Sequence, residues 1–453
     1  MKLSMRANVL AQVGRLLASF ERLVKRRGVL PEGPVQAVVM IAYYYPPHNE
    51  IGAARPSRFA RYLRRSGTDV AVICSSGMLR RTTDQQAPAE ADKEKPSPQR
   101  VPDADETAIA HRLSAVLQAI QRMALPYNDR LGWLPYAYAA GARMLTSRSI
   151  LISSHPPIAT HLTAMALKLR YGRPWIADFR DPLWGNPFRT SRRAAWIDPL
   201  VERLVVSLAD AVIANTDPSA EMLCRRYPKL VRKFHTIWNG FDPEDDIGPL
   251  PHATRERRTI SHVGTLYGAR TPVSFAASLQ RLIHQGTLAP TTIQFRQIGR
   301  VDPEGFDPNH PALAELETLG CFYRTSRHLP QSEARREMLE ADMLLLLDMN
   351  ETNPGLQVPA KVFEYVRAGR PILALTVPNS ATQHVLAVSG VPHACIDLGA
   401  TTEVFDALVL AFLLAQHESV APSPRFQHEF SAEKQIKTLL SILGIVGSSK
   451  NPG

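Results

Sequence analysis

The sequence predicts an α/β protein made of two doubly wound parallel sheets, and three observations predict it. Short apolar runs alternate with helix-spaced segments along most of the chain, the pattern of strands joined by crossover helices. The alternation occurs twice, on either side of a proline- and charge-rich stretch at 243–257. At 453 residues the chain is long enough for about two domains with sizeable cores.

The first strand is expected at Val35–Ala42, an apolar run closed by Tyr43-Tyr-Tyr-Pro-Pro47. A helix around Ser57–Ser66 and a strand at Val70–Cys74 complete the first parallel unit. Residues 79–106 are polar and rich in Pro, Ala, Asp, Glu and Lys, so they read as a mobile insertion. Helical spacing resumes at Ile109–Met123. Strands follow at Ser149–Ser153, Pro174–Ala177, Ala211–Ala214 and Phe234–Ile237, most of them separated by helices. The second half repeats the plan. Its strands are Thr259–Val263, Thr292–Ile298, Gly320–Tyr323, Met343–Leu347, Ile372–Leu375 and Ala394–Ile396. Its helices lie near Pro272–His284, Ser332–Leu339, Pro359–Ala368 and Val404–Ala415, with a last one near Ser431–Leu443. The expected domains are 34–245 and 255–420, with a basic helix at 1–33 before them and a final helix at 425–447.

Composition narrows the function. Hydrophobic content of 45% and charged content of 21% describe an ordinary globular protein. The net charge of +11 favours acidic partners such as nucleotides or anionic lipid, and a generally basic surface explains it equally. A nucleic-acid reader is disfavoured, because no basic stripe interleaved with aromatics is present. Cys74, Cys224, Cys321 and Cys395 are far apart, which argues against a zinc site or disulfide framework and for reduced thiols in the cytosol. No apolar run reaches the roughly 18 residues of a membrane span. The first thirty residues place Val9, Leu10, Val13, Leu16, Leu17, Phe20, Leu23 and Val24 at helical spacing among basic residues. Such a helix lies either on an anionic membrane or on its own domain.

Ligands of doubly wound sheets bind beyond the carboxyl ends of strands. The residues that follow each strand are therefore the candidates. Lys361 and Glu364 share one face of a short helix opened by Pro359 and closed by Gly369, so Lys361 could hold a diphosphate and Glu364 a ribose. A solvated Lys361–Glu364 surface pair is the plain alternative. After the first strand of the second half, Gly264 and Gly268 permit close approach of a phosphate and Arg270 supplies charge. In the first half, Asp178-Phe-Arg180-Asp181 either braces itself by ion pairing or turns a carboxylate toward a sugar hydroxyl. His155 is a candidate to orient a sugar, or an ordinary loop hydrogen-bonding group. Gly52 and Arg55 follow the first strand and could approach an anionic acceptor. No cysteine or histidine spacing suits a metal, and no nucleophile elbow is present.

Read in order, Tyr45-Pro-Pro…Gly52…Arg55, Leu131-Gly-Trp133, Ser154-His-Pro-Pro157, Asp178-Phe-Arg-Asp181, Ala209-Asp-Ala-Val-Ile-Ala214, Asn239-Gly-Phe-Asp242, Val263-Gly-Thr-Leu-Tyr-Gly268 and Lys361-Val-Phe-Glu-Tyr365…Gly369-Arg-Pro-Ile372 form a pattern. It resembles the GT-B glycosyltransferases, specifically the large family-four-like group of nucleotide-sugar-dependent retaining transferases. The resemblance covers roughly residues 35 to 443. It implies two Rossmann-like domains facing a central cleft, the donor held by the C-terminal domain and the acceptor by the N-terminal one, and a final helix that returns to the first domain. It implies that Glu364 binds ribose as the second acid of a paired-glutamate motif. Leu356 stands where the first acid would be, and Thr265 where the family has an arginine that Arg270 could replace. It further implies transfer of a sugar from a UDP- or GDP-sugar to a hydroxyl acceptor, lipid-linked or part of a surface polysaccharide. Neither cofactor nor metal is expected, and catalysis is assigned to Asp178, Arg180, Asp181 and His155. The expected location is cytoplasmic, peripheral on the inner membrane face. A same-fold epimerase and a non-catalytic sugar-nucleotide-binding or scaffold subunit remain as alternatives.

Overall fold

The structure, a computed structural model, describes residues 37–46, 51–76, 97–101, 129–186, 189, 191–245, 257–266, 270–302, 307, 309–327, 329–348 and 355–448. The expected helices at 1–33 and Ile109–Met123 lie outside them, as does Gly268. The chain forms two compact units, one of residues up to 238 together with those from 432 onward, the other of residues 239–431.

The first unit holds a seven-stranded sheet. Its strands are β1 (Ala37–Ala42), β2 (Asp69–Ser75), β3 (Gln99–Val101), β4 (Ser149–His155), β5 (Trp175–Phe179), β6 (Ala211–Ala214) and β7 (Phe234–Thr236). They lie in the order β3-β2-β1-β4-β5-β6-β7, all parallel, with Ala37 in register with both Asp69 and Ser149. β4 and β5 are buried along their whole length, because helices cover both faces of a parallel sheet. The helices between the strands are α1 (Ile51–Arg65), α2 (Leu134–Met144), α3 (Ile158–Tyr171), α4 (Ala194–Leu208) and α5 (Asp217–Arg226).

Two expectations need correction here. α1 begins at Ile51, ahead of the expected Ser57, although Pro56 lies inside it. Proline has no N–H to give the carbonyl of Gly52, four residues back. The Arg180 guanidinium donates to that carbonyl instead, so the helix passes the proline with the carbonyl satisfied. The second correction concerns the polar insertion. Gln99–Val101, expected to be mobile, pairs with Ile73–Ser75 as edge strand β3. Arg100 ties it down by donating to the Pro46 carbonyl at 2.9 Å. Three residues of mixed polarity carry no periodicity, so nothing local marks this strand.

The second unit holds a six-stranded parallel sheet in the order β10-β9-β8-β11-β12-β13. Its elements run β8 (Arg258–Val263), α6 (Val273–His284), β9 (Ile293–Ile298), α7 (Pro311–Thr318), β10 (Phe322–Thr325), α8 (Gln331–Glu340), β11 (Met343–Leu347), α9 (Lys361–Arg367), β12 (Ile372–Thr376), α10 (Ala381–Ser389), β13 (His393–Asp397), α11 (Thr402–Leu414) and α12 (Pro424–Phe430). β10 starts two residues later than Gly320, which sits in a left-handed turn at φ 67°. The rings of Phe275, Phe295 and Phe322 pack in sequence at 5.2 and 5.0 Å at the centre of this core. Asn239-Gly-Phe-Asp242 lies in this unit. Phe241 stacks on Phe426 at 5.3 Å, and its N–H donates to the Phe430 carbonyl.

The last helix, α13 (Ala432–Ser448), belongs to the first unit. Ile436, Leu439, Ile442, Leu443 and Val446, at helical spacing, join the cluster of Phe59, Tyr62 and Leu63 from α1. Among the described residues no helix is long and apolar enough to cross a membrane.

Candidate functional site

In the second unit the strand order reverses between β8 and β11, the place where such sheets bind ligands. Gly264 follows β8 with φ 124°, a conformation that side chains rarely adopt. A Cβ on it would stand 2.7 Å from Cε of Lys361, so the glycine leaves the room the lysine fills. Gly299, also at positive φ, lies against Gly264 just as closely: a Cβ there would meet the Gly264 backbone at 2.8 Å. Tyr365, one turn after Lys361, fastens the arrangement. Its hydroxyl accepts from Val263 N at 2.8 Å and donates to Val263 O at 3.2 Å.

Lys361 is half-buried at the start of α9. Its Nζ donates to Nε2 of His262 at 2.9 Å and to the Thr265 carbonyl at 3.2 Å. Burial lowers its pKa to about 7, the Arg270 charge pushes the same way, and Glu364 opposes them. Arg270 is itself buried and lies close enough to act on both Lys361 and His262. Of the expected donor group, Gly264, Arg270 and Lys361 therefore come together. The helix above them is only seven residues long, so the side chains, rather than its dipole, make the site cationic.

Glu364 faces α8 rather than pairing with Lys361. No ion pair joins it to Lys361 among the described residues. Its neighbours are Gln331 and Arg335 of α8, Arg367, and Asp245. Burial raises its pKa, while Arg335, a hydrogen bond from Gln331 and Arg367 work against that rise. Arg335 pairs with Asp245 at 3.2 Å. Leu356 is half-buried on the segment leading to α9. Arg370 is a structural tie, donating to Ser419 Oγ and to the Leu339 carbonyl.

In the first unit the expected residues also converge, at the ends of β1, β4 and β5, but with changed roles. Arg55 is 2% exposed and Asp178 1%, and each is the other's partner. The guanidinium reaches both carboxylate oxygens at 2.9–3.2 Å and the Trp238 carbonyl at 3.1 Å, and Ser154 Oγ donates to Asp178 at 3.0 Å. Both were candidates to meet substrate, and in the structure they meet each other. They form a buried ion pair linking α1 to the sheet, where each charge compensates the other's desolvation. The close approach at Gly52 is made by Arg180 of the same unit: a Cβ there would lie 3.2 Å from its guanidinium. Arg180 is half-buried, as is Asp181. Burial lowers the Arg180 pKa, while Asp181 and Asp178 support its charge.

His155 is 2% exposed, and neither ring nitrogen has a hydrogen-bond partner among the described residues. Burial, the neighbouring His161 ring, Arg189 and Arg180 hold its pKa well below the ordinary value, so the ring is neutral. Beneath it lies a relay with no sequence signal. Trp175 Nε1 donates to Ser153 Oγ at 2.7 Å, and that hydroxyl faces His161 Nδ1 at 2.7 Å. The hydroxyl has one proton and two lone pairs, so it joins the two rings whichever nitrogen of His161 carries the proton. Arg189 is a second unforeseen residue. It forks onto Asp129 and Asp198 with four bonds of 2.8–3.1 Å. Only a partner 60 residues distant completes that fork, so sequence spacing could not reveal it.

Residues 57–245 match the family model described as Glycosyltransferase Family 4. No curated protein matches the chain. Among solved structures, Anabaena HepE in complex with UDP and glucose aligns at a TM-score of 0.56 and 10% identity, covering 90% of this chain and 99% of that one. A mutant of S. aureus TarM, in complex with fondaparinux, alpha-GlcNAc-glycerol and UDP, aligns at 0.58 and 7% identity, again covering 90% and 99%. The fold is GT-B. The lipopolysaccharide outer core galactosyltransferase WaaB shares it, at 0.57 and 13% identity over 90% of this chain and 99% of that one. Within the GT-B frame, the chain resembles the family-four glycosyltransferases, as its sequence pattern implied.

Proposed function

We propose that this GT-B protein transfers a sugar from a UDP- or GDP-sugar to a hydroxyl acceptor. The observation that carries the reading is the cationic pair Arg270 and Lys361 beside the glycine turn after β8. As the bond from anomeric carbon to diphosphate breaks, negative charge gathers on the departing oxygen. Arg270, together with Lys361 in its protonated form, stabilises that charge more than the ground state, which lowers the barrier. They do the work a metal does elsewhere, so the proposed reaction uses none. Glu364 is assigned to the ribose. His155 offers one N–H and one acceptor nitrogen to sugar hydroxyls, with Arg180 near it and Asp181 near Arg180, while Asp178 braces the site through Arg55. Retention of configuration follows from the family resemblance. A lipid-linked or surface-glycan acceptor is suggested by the lipopolysaccharide enzyme WaaB and by the chain's net charge of +11, which suits an anionic membrane surface.

Calorimetric titration with UDP-, GDP-, ADP- and dTDP-sugars tests the donor reading. One donor is expected to bind, and Glu364→Ala to weaken it by about tenfold, the worth of one or two lost hydroxyl bonds. Unchanged affinity and turnover in that variant would remove Glu364 from the site. A second reading, a non-catalytic sugar-nucleotide-binding subunit, is favoured by one observation: Leu356 occupies the position of the first acid. Donor binding without transfer or hydrolysis would select it.

A further inference from the structure

His262 carries no sequence signal of a functional role. It lies fully buried in β8, among the buried Thr259, Ile260, Ser261 and Val263. Its Nδ1 faces the Leu345 carbonyl of β11 at 3.0 Å, and its Nε2 faces Lys361 Nζ at 2.9 Å. A carbonyl can only accept, so Nδ1 carries the proton. The ring is neutral, since burial and the nearby Lys361 and Arg270 charges hold its pKa well below the ordinary value. Nε2 is then an acceptor with a fixed direction, and among the described residues only Lys361 meets it.

We infer that His262 is a positioning residue that aims the Lys361 ammonium at the diphosphate of the donor, an assignment that rests on the donor-site reading above. Lysine is a flexible point charge, and an unanchored ammonium in this space would fold back toward solvent. His262 and the Thr265 carbonyl take two of its N–H groups. The third finds no acceptor among the described residues and is left for a phosphate oxygen. Gly264 keeps the path of the side chain open. The carbonyl of Leu345 sets the imidazole tautomer from the neighbouring strand, so the orientation of Lys361 is fixed by the two strands at the switch point.

The same geometry makes diphosphate binding depend on pH. The groups acting on Lys361 are His262 in β8, Arg270 ahead of α6, and Glu364 on its own helix. Its pKa in the free protein is about 7, and a bound diphosphate raises it. Affinity is therefore expected to fall as pH rises above 7, by up to about tenfold per unit.

The test is a double-mutant cycle on the full chain, read by titration with UDP, GDP and ADP and with the matching nucleosides. His262→Asn keeps a donor for the Leu345 carbonyl but no longer reaches Lys361. It should weaken binding of the preferred diphosphate by about tenfold, leave the nucleoside affinity unchanged and flatten the pH dependence. In a Lys361→Met background the same substitution should have no further effect. His262→Gln reaches Lys361 with its amide and should stay within about threefold of the wild type. Equal losses from His262→Asn with and without Lys361, or no loss at all, would overturn the inference. If the Asn variant does not fold, a tenfold loss in His262→Gln does so. Should Lys361→Met itself bind diphosphate as the wild type does, the donor-site reading falls instead, and the two failures are thereby told apart.

Discussion

Gly264 shows how much one residue carries. Its φ of 124° and the 2.7 Å approach of Lys361 both exclude a side chain. Gly264→Ala should destabilise the second unit by about 1–3 kcal/mol through backbone strain. It should also weaken nucleoside diphosphate binding by about tenfold or more, because the atom in the way is the flexible end of Lys361, which yields by moving off its target. Binding at wild-type strength in the folded variant would refute the role given to this glycine. The sequence marked Gly264, Arg270 and Lys361 because each stands just past a strand or opens a helix, where local signals exist. It could not mark His262, whose importance comes from a lysine 99 residues away. Nor could it show that Arg55 and Asp178, both attractive as ligand contacts and 123 residues apart in sequence, pair with each other in the interior.

Among the elements, α13 is the clearest case of a helix whose place is set by its apolar stripe. Leu439 is fully buried in the first unit's core. Leu439→Ala should cost about 2–5 kcal/mol, the range for a leucine cavity. Denaturant unfolding followed on the first unit would show it, and a change below about 0.5 kcal/mol would mean that the helix does not pack as described. Strand positions were readable because buried parallel strands are continuous apolar runs: Ala211–Ala214 and Met343–Leu347 are found as expected. Elements held by other means were missed or misplaced. β3 is fixed by backbone pairing with β2 and by Arg100, and the first turns of α1 by Arg180 across the unit. α10 was also unforeseen, and α12, expected as the start of one final helix at 425–447, is a helix of its own. Each begins at a serine whose hydroxyl accepts from the helix's third N–H, a cap too common in loops to stand out without its helix.

At the scale of the whole molecule, three buried histidines impose one behaviour on both units. His155 and His161 in the first unit and His262 in the second have lowered pKa values, His161 to about 3, with burial the leading cause in each. Below about pH 6.5 the unfolded chain takes up a proton at each of these positions and the folded chain does not. Stability is therefore expected to fall as pH drops below about 6.5, by about 1.4 kcal/mol per unit for each histidine until its folded pKa is reached. Equilibrium unfolding in denaturant between about pH 6.5 and 5, above the range of ordinary carboxylates, would measure this. His161→Leu should remove one proton's worth of slope, and an unaltered slope would show that His161 is not held neutral.

The sequence by itself determined the architecture. Strand and helix periods, glycine and proline punctuation and the repeat of the plan are local properties, and burial on both faces of a parallel sheet writes them directly into the residue pattern. The tertiary structure decided which charged residues gather beside the glycine turn and which pair with each other. Pairing, desolvation and tautomer depend on distances between residues far apart in the chain. That is why Lys361 and Arg270 emerge as a cationic site, Arg55 and Asp178 as its buried counterpart in the first unit, and His262 as the hidden support of Lys361.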